Sequence, residues 1–151
     1  MSTPLENLTA EHRTMLALVA LMQQEQQCLI AADVEQIAAL TEQKQTLLTN
    51  MANFAADRAK ALAAAGLPAD DSGMQSWLAA HDDATRAVWQ QLLDLTARAK
   101  ELNRVNGILI NKHLSSTQGA LQALQIHAED GVYGADGQTS GGTGKRISAI
   151  G

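Results

Sequence analysis

The chain is short of aromatic residues, with one Phe, one Tyr and two Trp among 151 positions. A core must therefore be assembled from Leu, Ala, Met, Ile and Val, as in helical bundles and coiled coils. β-Branched residues are scarce beside Ala, Leu and Gln, which favours helix over strand. Cys28 is the single cysteine, so neither a disulfide framework nor a Cys-based metal site is available. Lys and Arg number 11 against 16 Asp and Glu, a net charge of −5. With no basic run among them, a nucleic-acid surface is disfavoured, because phosphates require clustered cations. No apolar stretch approaches the ~20 residues of a membrane span. Met1 to Asn7 also lack the basic-then-apolar layout of a signal peptide. Together these absences predict a one-domain cytoplasmic protein, long enough to bury a real core. Glycine is scarce too, until residue 131. Seven of the eleven then fall between Gly131 and Gly151.

What is present is helical periodicity, in three long segments. The first runs from about Pro4 to Ala31, with Leu5, Leu8, His12, Met15, Val19, Met22 and Leu29 at three- and four-residue steps. The second runs from about Val34 to Ala65 along Val34, Ile37, Leu40, Leu47, Met51, Phe54 and Leu62. Asp33 with Gln36 resembles a capping box, while Gly66 and Pro68 mark the C-terminal end. The brief Ala32-Asp33 break predicts an antiparallel hairpin. After a loop over 66–72, a short helix is expected from Gly73 to Ala80. An aspartate of His81-Asp82-Asp83 is expected to cap the third long helix.

That third helix continues to about His127, along Val88, Leu92, Leu95, Ala99, Leu102, Asn106, Leu109, Leu121 and Leu124. At 1.5 Å per residue it reaches roughly 70 Å, against roughly 42–48 Å for the hairpin helices. Either its last third extends beyond the hairpin, or it breaks at Ser115-Ser116-Thr117 or Gly119. The fold class is thus all-α: a helical bundle over 1–128 and a flexible Gly-rich tail over 129–151. A tail of this composition buries too little apolar surface to offset its ordering entropy. Its Tyr133 is either a docking element or an aromatic that folds back on the bundle.

Little here points to catalysis or to a cofactor. His12, His81, His113 and His127 lie on different segments, without the spacing of a metal motif. His12 and His113 sit near apolar seams, as core or rim histidines do. The residues three beyond the histidines are Met15, Ala84, Ser116 and Asp130, so the His-x-x-Lys-Gly of phosphotransfer bundles is missing. Charged residues are spread as on solvated helix faces. Asn103 to Ile110 is the least expected stretch, because a mid-helix Asn-Gly costs roughly 1 kcal/mol in helix propensity. Close approach of a neighbouring helix at Gly107, with Asn106 bonded across the interface, is one explanation. A polar group reserved for a partner helix is the other.

Asn103-x-x-Asn106-Gly107-x-Leu109-Ile110, followed by Tyr133-Gly134-x-Asp136-Gly137-Gln138, resembles the FlgN family of flagellar type III export chaperones. The likeness covers the whole layout; the family often has proline where this chain has Ala135. The resemblance implies a non-enzymatic cytoplasmic chaperone without cofactor or metal. It would bind the C-terminal segments of hook–filament junction proteins, FlgK-like and FlgL-like, and deliver them to the export gate. It also implies docking of Val132, Tyr133 and Gly134 on the cytoplasmic domain of the gate protein FlhA. The client surface is expected on the late third helix, at Ile110, Leu114, Leu121, Leu124 and Ile126. Physical chemistry reaches the same segment independently, since an uncovered apolar stripe suits helix-in-groove recognition. The same stripe also suits a homodimer, and a homo-oligomeric helical scaffold is the alternative function.

Overall fold

The computed structural model describes residues 4–135, with side chains described through residue 126. Those residues form four helices and no strand: α1 (Pro4–Ala31), α2 (Val34–Ala64), α3 (Asp71–Ala79) and α4 (Asp83–Ala135). The expected hairpin, short helix and long final helix are all present. α4 is unbroken through Ser115-Ser116-Thr117 and Gly119, and runs past the expected boundary at 128. The described residues fall into two compact units, one up to Leu109 and the other from Ile110.

The ends of the helices show why the chain folds where it does. Ala32 sits at φ 56°, with its N–H bonded to Leu29 O and that of Asp33 to Cys28 O. This is a Schellman closure with alanine in the left-handed position, a cost of roughly 1–2 kcal/mol relative to a relaxed backbone. Asp33 then begins α2, its carboxylate accepting from Gln36 N at 3.2 Å. α2 closes in the same manner, this time on Gly66 at φ 73°, with Gly66 N bonded to Ala63 O and Leu67 N to Leu62 O. At α3 the cap is Asp70, which accepts from Gly73 N at 2.9 Å. No side chain fits at Gly73, because a Cβ there would lie 1.8 Å from Pro68 O.

Asp82 caps α4 through the Thr85 hydroxyl and N–H at 2.7 and 2.9 Å. Those bonds, the hydroxyl's foremost, hold its carboxyl below the usual carboxylate range. A depressed folded-state pKa means that this cap supports the fold at neutral pH and is lost as pH falls through it. Arg86 joins the same corner by donating to Leu78 O at 3.0 Å and pairing with Asp83.

The core of the first unit is one cluster: Leu8, Met15, Leu18, Val19 and Met22 of α1, Leu62 of α2, Met74 and Leu78 of α3, and Leu92 and Ala99 of α4. Two charged groups lie inside it, which the even scatter of charge in the sequence does not predict. Glu11 is 2% exposed and accepts from Arg58 Nε and Nη2 at 2.9 and 2.8 Å. The Arg58 guanidinium in turn lies 5.0 Å from the Trp89 ring centroid, within cation–π range. Glu25, also buried, accepts from Lys44 Nζ at 3.1 Å, and Lys44 reaches Asn103 Oδ1 at 3.4 Å. The two polar layers are fourteen residues, or two heptads, apart on each helix: 11 and 25, 44 and 58, 89 and 103. The pairs ascend along α1 and descend along α2, which establishes the antiparallel hairpin.

Candidate functional site

The Asn-Gly motif of α4 divides between two roles. Asn106 is 1% exposed and its amide donates to Met22 O at 3.0 Å and to Glu25 Oε1 at 2.8 Å. It is the inter-helix asparagine expected from the sequence, and Asn103 lies beside it against Lys44. Gly107 is not at a close approach: a Cβ there would meet nothing within 4 Å. The reason is angular, since α4 faces α1 through Asn106 and the next residue is turned about 100° away. Gly107→Ala is therefore expected to stabilise the protein by about 1 kcal/mol, by raising helix propensity without a clash. A melting temperature that fails to rise counts against that assignment.

From Ile110 onward α4 changes character. Ile110, Leu114, Leu121 and Leu124 are between 46% and 65% exposed. At 100° per residue these four fall within an arc of about 80°, with Thr117 filling the gap. Side chains of this size in one arc make a continuous aliphatic ridge of the kind that marks an interaction surface. Ile126 is exposed as well. Sixteen residues from Ile110 it lies about 160° round the helix, on the opposite side from the ridge. Helix geometry thus brings together four of the five residues expected from the sequence and separates the fifth.

The segment is also nearly uncharged. Lys112 is the one Asp, Glu, Lys or Arg between Ile110 and Ile126, whereas seven fall between Asp83 and Leu109. Its exposed polar positions are Asn, Ser, Thr and Gln. Binding to a surface so composed would depend on apolar fit rather than on charge, and would change little with salt. Val132, Tyr133 and Gly134 lie in the last turn of α4; their side chains are outside the described residues, as is all of 136–151.

Catalytic geometry is not assembled by the described residues. His81 stacks on Trp77 at 3.8 Å between ring centroids, with Nδ1 2.6 Å from Trp77 O, a helix-end arrangement. Among the described residues no three His, Cys, Asp or Glu side chains converge as metal ligands. None of their helices is long and apolar enough to cross a membrane.

Comparison with known proteins gives a consistent picture. The model of the FlgN protein family matches residues 1–141. The flagella synthesis protein FlgN of Proteus mirabilis is 32% identical over 123 residues, 80% of this chain and 79% of that protein. That of Salmonella typhimurium is 32% identical over 135 residues, 87% of each chain. That of Yersinia enterocolitica is 26% identical over 145 residues, 93% of each. No solved structure matches.

Proposed function

Because the chain belongs to the FlgN family of flagellar synthesis proteins, and so to flagellar biogenesis, we propose that it is an export chaperone for hook–filament junction proteins. The client is the C-terminal helical segment of a FlgK-like or FlgL-like protein, and the ridge Ile110, Leu114, Leu121 and Leu124 receives it in the cytoplasm. One observation carries this reading: four large aliphatic side chains left in water along one side of a nearly uncharged segment of α4. A segment that must not assemble before export presents an apolar face, and a matching aliphatic ridge covers it without charge pairs that would have to be broken on release. Delivery follows through Val132, Tyr133 and Gly134, which dock on the cytoplasmic domain of the export gate protein FlhA. Keeping the gate contact on a different turn from the client ridge lets a loaded chaperone be recognised.

Co-purification with the C-terminal segment of a junction protein from the same cell is the direct test. Retention at defined stoichiometry supports the proposal, and none under conditions where both partners are folded overturns it. The docking step has its own measurement. Tyr133→Ala removes an aromatic able to supply a large apolar area and one hydroxyl hydrogen bond. The variant is expected to keep its melting temperature and client affinity, while retention of the loaded complex on the isolated gate domain falls by at least about tenfold. Unchanged retention removes Tyr133 from the site, and a large drop in melting temperature assigns it to bundle packing instead.

A further inference from the structure

The Asn106-Gly107 pair has a property that packing does not use. A Cβ at Gly107 would meet nothing within 4 Å, so the missing side chain lowers helix propensity without serving a close approach. The other five asparagines precede Leu, Met, Phe, Arg or Lys. Asn106 alone is followed by a residue whose nitrogen is unhindered and whose backbone turns freely. Once the chain is free to turn, such a nitrogen reaches the side-chain amide of the residue before it.

We propose that Asn106 is a deamidation site gated by the fold. In the opened chain the Gly107 nitrogen attacks Asn106 Cγ. The N–Cγ bond forms, the Cγ–Nδ2 bond breaks, and Nδ2 leaves as ammonia with the Gly107 proton. Water then opens the cyclic imide, at its Cγ–N bond to give aspartate or at the backbone C–N bond to give isoaspartate. The folded chain blocks the first step twice. Helical ψ at Asn106 holds the Gly107 nitrogen away from Cγ, with its N–H committed to the helix ladder. Nδ2 is itself held by Met22 O and Glu25 Oε1. The buried positions of α4 are Thr85, Leu92, Ala99 and Asn106, every seventh residue, and no described residue beyond Asn106 is buried. An opening confined to that end of the core therefore frees the site. Reaction then prevents closure. A carboxylate at 106 sets an acceptor against Met22 O and Glu25 Oε1, where the amide donated to both, and adds a negative charge beside Glu25, which Lys44 already neutralises. Asn106 Oδ1 has no hydrogen-bond partner among the described residues, so no donor stands ready for a second oxygen. Isoaspartate also adds a carbon to the main chain and interrupts the ladder. A transient opening thus becomes a permanent one, with no client involved.

Incubation of the full chain in buffer and in denaturant, followed by ammonia release and peptide mapping, tests this. Deamidation is expected at residue 106 rather than at the other five asparagines, and at least about tenfold more slowly in the folded protein, because its rate follows the open population. In denaturant, Gly107→Ala should slow it at least about tenfold by hindering the attacking nitrogen. That comparison is independent of any effect of the substitution on stability. Asn106→Asp stands in for the aspartate product and should raise the unfolded fraction at least about tenfold at a given denaturant concentration. Equal rates in the folded and unfolded chain overturn the gating, and a Gly107→Ala rate equal to the parent's in denaturant overturns the chemistry. An Asn106→Asp variant that unfolds with the parent overturns the permanence of the opening.

Discussion

Arg58→Ala is expected to lower stability by about 3 kcal/mol, through the carboxylate it leaves behind rather than the contact it removes. Glu11 is 2% exposed and its carboxylate accepts three hydrogen bonds from the Arg58 guanidinium. Removing the guanidinium strands a charge among Leu8, Leu62 and Met74. Breaking a buried pair costs ~3–5 kcal/mol in general, and the lower end applies because the Arg58 side chain is itself 30% exposed and water can partly replace it. The Trp89 face loses its cation as well, a further ~0.5–1 kcal/mol. Chemical denaturation of the single variant measures the loss. Glu11→Met combined with Arg58→Met should recover most of it, since an apolar pair of similar volume leaves nothing stranded. If the single variant unfolds like the parent, Glu11 is hydrated in solution and the layer is not a core element.

Leu121→Asp with Leu124→Asp is expected to weaken client binding by at least about a thousandfold while the helical signal persists. Burying a leucine is worth ~1.5–3 kcal/mol, so two supply ~3–6 kcal/mol, a range that spans the ~4 kcal/mol this factor represents. Aspartate in their place adds a desolvation cost on the partner side. Both leucines are more than half exposed, so the free protein gives up only helix propensity, roughly 0.5 kcal/mol per position. A titration with the junction-protein segment and a circular dichroism spectrum of the same sample decide the matter. Binding within about tenfold of the parent excludes the ridge as the client surface, and loss of helix along with binding shows that the leucines are packed.

Much of the fold was legible because its signals are local. Asp33, Gly66 and Pro68 announce helix ends through short-range bonds and allowed backbone angles; α2 begins one residue after Asp33 and ends two residues before Gly66. The exposed aliphatic positions of α4 are legible in the sequence, but apolar character alone does not set Ile126 apart; its angle round the helix does. The polar layers were overlooked for the opposite reason. Leu8, Glu11, Met15, Leu18, Met22, Glu25 and Leu29 follow a strict three–four alternation, and the glutamates occupy seam positions within it. Charge suggests solvent, so the sequence points to His12 for the seam instead of its neighbour Glu11. Spacing is the better guide when a basic residue at the matching place on the next helix, Arg58 or Lys44, can neutralise the intruder. At Gly107 the sequence marks an anomaly but not its cause, because glycine in a helix looks the same with a neighbour above it or without one.

The fourteen-residue interval between the layers also bears on how the chain finds its fold. During collapse the two hairpin helices can slide past each other, and a slide of one heptad keeps leucines facing leucines. That slide sets Glu11 opposite Met51, so a misaligned hairpin holds an unneutralised carboxylate and is short-lived. A slide of two heptads is more deceptive, because it matches Glu11 with Lys44 and satisfies one pair of the two. It also displaces the reversal point by about seven residues, into sequence that favours helix, and abandons the Ala32-Asp33 closure. The charged layers and the two-residue connection therefore reject different errors, and refolding should be slowed most by variants that relax both at once.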